Sequence, residues 1–225
     1  MSDQHAELEW RDQAIPVSTR FDDPYFSLDN GLDETRHVFL AGNDLPARFA
    51  PDFHIAELGF GTGLNLLTAW MAWDQADMDT PLTFTSFEAF PMEADEMARA
   101  LDAFPELGDY RDRLVTAWAE DKTLATLEGI TARVILGDAR DTLAAADFAA
   151  DAWFLDGFSP AKNPELWDTD LMAQVGSHTK IGGTAATYTA AGFVRSNLTD
   201  AGFSVTRIKG FGRKRHMTTC LKEPT

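Results

Sequence analysis

The sequence predicts a doubly wound α/β domain: a mostly parallel sheet with an antiparallel closing strand, preceded by an N-terminal extension. Two observations carry this. Apolar runs of strand length, FHIAELG, LTFTSFE, TARVILGD and AWFLDG, each end in glycine or an acid, and helical stretches separate them. Strands covered by helices on both faces read as near-continuous apolar runs, and alternation of the two element types is the signature of an α/β sheet.

In chain order, residues 1–52 form the extension and 53–225 the domain. The segment from Thr19 reads as irregular or hairpin structure up to Asn30, then as a helix through Leu40 stopped by Gly42 and Asn43. Leu32, Thr35 and Phe39 share one face of that helix, which suits a cap over the sheet. Asp22, Asp23, Tyr25 and Phe26 also suit the mouth of a substrate site. The first strand leads into a glycine turn and a helix over the apolar run Leu64 to Trp73; a second strand, 82–88, ends in Glu88. A helix is expected from about Glu93 to Phe104, broken by Pro105. The stretch from Arg111 to Ile130 reads either as a helix or as a loop with a short strand. A third strand ends at Gly137 and Asp138, and a fourth spans 152–160 with Asp156 followed by Gly157 and Phe158. Helix, strand and helix then precede the closing pair FSVTRIKG and HMTTCLKE, joined through FGRKR.

The turn after the first strand carries the chemistry. Gly59, Gly61 and Gly63 alternate, which lets the main chain take φ > 0 and approach a ligand, while the helix start beyond offers free N–H groups. A dinucleotide fingerprint would place its third glycine where Leu64 stands. The arrangement acid-x-G-x-G-x-G, with Glu57 as the acid, is instead similar to that of S-adenosylmethionine (SAM) methyltransferases. Candidate cofactor residues are Glu57, Gly59, Gly61, Thr62, Gly63 and Asn65 around the turn. Glu88 at the second strand tip suits a ribose diol. Asp138 and Ala139 stand where such layouts keep adenine, and Asp156 lies at the fourth strand end, where open α/β sheets keep their chemistry.

Composition excludes several classes. With 225 residues, 44% hydrophobic and 24% charged, the chain suits one globular domain. One cysteine, Cys220, excludes an internal disulfide framework, and five scattered histidines give no metal site. No apolar run is long enough for a bilayer and the polar start MSDQHAELEW is no signal peptide, so a cytoplasmic location without a membrane is expected. A net charge of −17 argues against generic nucleic-acid binding, but from residue 157 onward nine Lys/Arg face five Asp/Glu. A polyanion should meet the C-terminal third.

GFGTGLN, SFEAF, FLDGFSPAKNPELW, GGTAATYTAAGFVR and GFGRKRHM together resemble the methyltransferase portion of the bifunctional tRNA 5-methylaminomethyl-2-thiouridine biosynthesis protein family. FDDPYFSLDNGLDETRHVFLAGN resembles that family's N-terminal segment. The resemblance implies methyl transfer from SAM to the primary amine of 5-aminomethyl(-2-thio)uridine at the wobble position of the tRNA anticodon loop. It also implies an upstream FAD-dependent oxidase; the family's usual form carries one, and no second nucleotide fingerprint follows here, so methylation alone is expected of this sequence, with the oxidase step done by a separate protein or by a domain outside it. Ser159 replaces the alanine of the family motif and leaves Asp156 and Pro160–Asn163 intact.

Asp156 is the candidate base that orients the amine and accepts its proton, or else a SAM-side, cofactor-binding or strand-end hydrogen-bonding residue without that role. Phe158 is the chief candidate to stack an extruded base. Lys162, Asn163, Phe211, Arg213, Lys214 and Arg215 are the candidates for holding tRNA. Two other classes remain: a SAM methyltransferase for a small-molecule amine or carboxylate, and a nicotinamide-dependent or non-catalytic nucleotide-binding domain.

Overall fold

The computed structural model describes residues 4–12, 14–27, 30–124 and 126–224. Met1–Asp3 of the polar start, and Leu28 and Asp29 of the expected N-terminal segment, lie outside the described residues.

The extension is more ordered than the sequence suggested. It forms an antiparallel sheet of β1 (Leu8–Arg11), β2 (Ile15–Ser18) and β3 (Asp23–Pro24). Helix α1 (Gly31–Thr35) follows, capped by the Asn30 side chain accepting from Asp33 N at 3.0 Å. It widens into a π-turn over Arg36–Leu40 and tightens over Ala41–Asn43. The expected helix is therefore present, with its register loosened midway. Leu32, Thr35 and Phe39 are buried as their common face requires.

The domain then alternates β4 (His54–Leu58), α2 (Leu64–Gln75), β5 (Leu82–Glu88), α3 (Ala94–Leu101), α4 (Gly108–Glu120), β6 (Thr126–Leu127), β7 (Ile130–Leu136), α5 (Ala139–Thr142), β8 (Ala150–Leu155), α6 (Thr169–Ser177), β9 (Thr179–Thr187), α7 (Gly192–Asp200), β10 (Phe203–Lys209) and β11 (His216–Lys222). The ambiguous stretch is thus α4 followed by β6, and α3 is shorter than expected because the chain leaves the helix before Phe104 and Pro105. A reciprocal capping box between Glu93 and Glu96 starts α3.

The large sheet has the order β10-β11-β9-β8-β4-β5-β7-β6. Its centre, from β9 through β7, is parallel; β11 lies antiparallel between β9 and β10, and β6 runs antiparallel at the other edge. The closing pair is therefore present, with the last strand inside the sheet and β10 at its edge. Alternation along the strands sorts the core into two layers. Ile55, Phe84 and Phe154 pack against Trp70 of α2 and Trp118 of α4 on one face. Leu58, Phe87 and Trp153 pack against Val175 of α6 and Leu198 of α7 on the other.

β4 is the turning point: β5 and β7 extend the sheet to one side, β8 and β9 to the other. The crevice between the C-terminal ends of β4 and β8 is the topological switch point, where ligands of open α/β sheets bind. Among the described residues no helix is long and apolar enough to cross a membrane.

Candidate active site

At that crevice the main chain leaves no room for a side chain. Gly59, directly after β4, has φ of +88°, and a Cβ there would lie 2.0 Å from the carbonyl oxygen of Asp156, directly after β8. Only glycine satisfies both constraints. Gly61 follows with φ of +55°, and its N–H donates to Glu88 Oε2 at 2.9 Å. Phe90 N donates to Glu88 Oε1 at 2.7 Å. The Glu88 carboxylate thus ties the β4 turn to the β5 turn. Burial raises its pKa, opposed by the backbone donors of Gly61 and Phe90.

A cavity of about 910 Å³ opens over this rim. Of the residues singled out from the sequence, Gly59, Gly61, Thr62, Asn65, Glu88, Asp138, Ala139, Asp156, Phe158, Asn163, Arg213 and Lys214 line it. Glu57, Gly63, Lys162, Phe211 and Arg215 are not in its wall. Glu57 shares the β4 face of Ile55, turned toward α2, and is completely buried. Its carboxylate accepts from Asn65 Nδ2 at 2.8 Å and from Ser86 Oγ at 2.6 Å. Burial raises its pKa well above the usual carboxylate range, against the two hydrogen bonds. Its part in the site is to hold Asn65. Gly63 has φ of +76° and caps α2. Lys162 is spent on the extension, paired with Asp22 at 3.2 Å and Asp23 at 3.5 Å. The ring of Phe211 sits 5.8 Å from that of His37.

Asn65 also donates to Asp156 Oδ2 at 2.7 Å, so one amide orients two acids. Burial is the main cause that pushes the Asp156 carboxyl up to about 7. The Asn65 donor and the Lys214 charge work against it, and the Glu34 charge adds to it. A carboxyl so tuned changes charge in the neutral range, as a general base requires. Asp138 caps α5 and is engaged by Arg140, with Nη2 at 2.5 Å from Oδ2, which holds its carboxyl below the usual range.

The extension supplies the opposite wall. Ser159 N donates to Asp23 Oδ2 at 2.8 Å, fastening β3 to the β8 loop. Phe21 then stacks on Phe158 with centroids 4.7 Å apart, and Tyr25 meets Phe158 edge-on at 5.0 Å. Phe90 stands 6.0 Å from Phe21, with the Arg20 guanidinium 4.5 Å from the Phe90 ring centre. Of the four residues read as suited to a substrate mouth, Asp23, Tyr25 and Phe26 line the cavity and Asp22 does not. Sequence reasoning passed over Phe21 and Glu34. Glu34 is charged, yet it lies on α1 beside Leu32 and Thr35 and is only 8% exposed. A lone acid on an otherwise apolar helical face is the signal that could have found it.

The described residues contain no group of three or more His, Cys, Asp or Glu able to hold a metal ion. A glycine turn that admits no Cβ, an acid tying it to the second strand and a cavity of this size fit an adenosyl cofactor. Residues 105–223 match the model of a family described as S-adenosyl-L-methionine-dependent methyltransferase. The whole chain is similar to the crystal structure of MnmC2 from Aquifex aeolicus, with a TM-score of 0.77, 26% identity, and coverage of 100% of this chain and 73% of that one. TrmN from Thermus thermophilus is more distant, with a TM-score of 0.47, 16% identity, and coverage of 81% and 47%. The reading as a nicotinamide-dependent domain is set aside by the family match. The chain belongs to this family of S-adenosyl-L-methionine-dependent methyltransferases.

Proposed function

We propose that the chain methylates the primary amine of 5-aminomethyl(-2-thio)uridine at the tRNA wobble position, giving 5-methylaminomethyl(-2-thio)uridine. The observation that carries the reading is Asp156, a neutral-range carboxyl at the rim of the cofactor cavity, beside an aromatic cluster and under a basic loop. The likeness to MnmC2 and the tRNA-family motifs support the choice of acceptor.

SAM, when bound, supplies a methyl group activated on a sulfonium. The turn from Gly59 to Thr62 with Glu88, Asp138 and Ala139 would hold it. An alkylammonium has no lone pair to attack with, so the protein's task is to position the amine and remove its proton. Asn65 fixes the Oδ2 side of Asp156, and the amine meets the other oxygen. Phe158, Phe21 and Tyr25 offer ring faces to a base extruded from its stack, and Arg213 and Lys214 offer charge to its phosphates.

The test incubates the protein with methyl-labelled SAM and tRNA carrying 5-aminomethyl-2-thiouridine, followed by mass analysis of the wobble nucleoside. Methylated nucleoside is expected. Label appearing only in small amines or carboxylates, the acceptors that the acidic bulk of the chain would favour, overturns the reading.

Glu88→Ala should weaken SAM binding by roughly 2–4 kcal/mol, the cost of two charge-assisted hydrogen bonds that the carboxylate would accept from the ribose diol, with a smaller effect on turnover at saturating cofactor. Calorimetry checks this. Unchanged SAM affinity would take Glu88 out of the cofactor site.

A further inference from the structure

One cation in the cavity wall lies where its own chemistry does not require it. Lys214 belongs to the loop between β10 and β11, and its side chain is 48% exposed, so its ammonium could remain in water. Instead Nζ reaches 2.6 Å from Oε1 of Glu34, whose side chain is 11% exposed. The same Nζ lies 4.6 Å from the centre of the Tyr188 ring. A carboxylate beside an aromatic face is a receptor for an organic ammonium ion. Tyr188 is itself fixed, its hydroxyl donating to Gly157 O at 2.6 Å, one residue from Asp156.

This place opens into the cavity that Asp156 lines. Glu34, Asp156 and Tyr188 line the same cavity. The charges of Glu34 and Lys214 both act on Asp156, and those of Glu34 and Asp156 both act on Tyr188. The group resting there, a methylene bearing an ammonium, is the group that a 5-aminomethyl acceptor presents.

We propose that Glu34, Tyr188 and Asp156 form the subsite for the acceptor's alkylammonium group, and that Lys214 Nζ occupies it until the acceptor displaces it. The inference rests on the reading above that the acceptor is a primary alkylamine. It gives Glu34 a positioning role and Lys214 two places: on Glu34 before the acceptor arrives, and beside Arg213 and Arg215 afterwards, where a displaced cation meets phosphate. Binding of the amine and engagement of the anionic backbone are then one exchange. An acceptor lacking the ammonium leaves Lys214 in place.

The experiment uses the full chain with n-butylammonium as the probe of the subsite, at constant chloride, and 5-aminomethyluridine nucleoside as a phosphate-free acceptor. Lys214→Ala vacates the receptor, so n-butylammonium should bind it at least about 10-fold more tightly than it binds wild type, and Glu34→Gln on that background should abolish the gain. The KM for the nucleoside should fall about 10-fold in Lys214→Ala and rise by a similar factor in Glu34→Gln, with SAM affinity held within about twofold. Equal n-butylammonium binding in wild type and Lys214→Ala, or a gain that survives Glu34→Gln, overturns the subsite. Should Glu34→Gln not fold, the comparison of Lys214→Ala with wild type decides alone. The two readings fail separately. Probe binding as expected without methylation of 5-aminomethyluridine in nucleoside or tRNA removes the acceptor and keeps the subsite. Methylation of tRNA with KM indifferent to Glu34 removes the subsite and keeps the acceptor.

Discussion

Asp156→Asn should lower turnover by about 10²–10⁴, the usual loss for a missing general base, while the protein still folds and binds SAM. The side chain keeps its shape, and the neighbouring donor, Asn65 Nδ2 at 2.7 Å, meets an amide in place of a carboxylate. The pH profile separates a base from a positioning group. The Asp156 carboxyl is raised from 3.8 to about 7, so it is protonated and unable to accept below that point and ionised above it. Wild-type kcat/KM for the acceptor should therefore climb through about pH 7, and this limb should vanish in the variant. Stability gives an independent sign. A carboxyl whose pKa is higher folded than unfolded stabilises the fold fully below 3.8 and loses that contribution as pH rises to about 7. Melting temperatures of wild type should fall relative to Asp156→Asn between pH 4 and 7. Wild-type turnover in the variant at neutral pH would reduce Asp156 to scaffolding.

The second large effect is on the fold. Gly59→Ala should destabilise the protein by about 3–5 kcal/mol, since it adds a side chain at a disfavoured backbone conformation and drives it into a neighbouring strand end. The φ of +88° and the 2.0 Å approach to the Asp156 carbonyl act together, and the obstacle is backbone, which cannot rotate aside. Gly108→Ala is the control for the clash: φ of +49° with ψ of −133° strains any side-chain-bearing residue by about 1–3 kcal/mol, but nothing lies within 4 Å of the added carbon, so the backbone cost is read there without the collision. Urea midpoints read both. A Gly59→Ala midpoint matching wild type would show that the β4 and β8 ends are free to separate, and that the crevice is not fixed by their contact.

The difference between these glycines marks what the sequence could tell. The β4 turn was legible because alternating glycines and strand-end acids answer local constraints, which chain order records directly. Gly59, Glu88, Asp138 and Asp156 all reached the cavity on that basis. Glu57, chosen by the same rule, is not in the cavity wall. It precedes the glycines as an acid should, but strand alternation turns it toward α2, where Asn65 and Ser86 hold it out of the cavity. The other wall was not legible as a wall. Ser159 and Asp23 bond across 136 positions, Lys214 and Glu34 across 180, and no spacing rule announces such pairs. The lysine next to the glycine-rich loop looked like a ligand for phosphate. Only the folded chain shows it resting on an acid from the extension.

The placement of β11 has a practical side. Because β11 runs antiparallel to β9, with Thr218 opposite Thr187 and Leu221 opposite Thr184, it starts at the rim that carries Asp156 and descends to the far edge of the sheet. Lys222 therefore lies behind the molecule, whereas Ala6, whose N–H donates to Pro91 O at 3.1 Å, lies on the side of the β5 turn and the mouth. An anchor to a solid support, or a fluorescent reporter, grafted after Lys222 leaves the mouth open to a macromolecule as bulky as tRNA. The same graft ahead of Ala6 stands in the doorway.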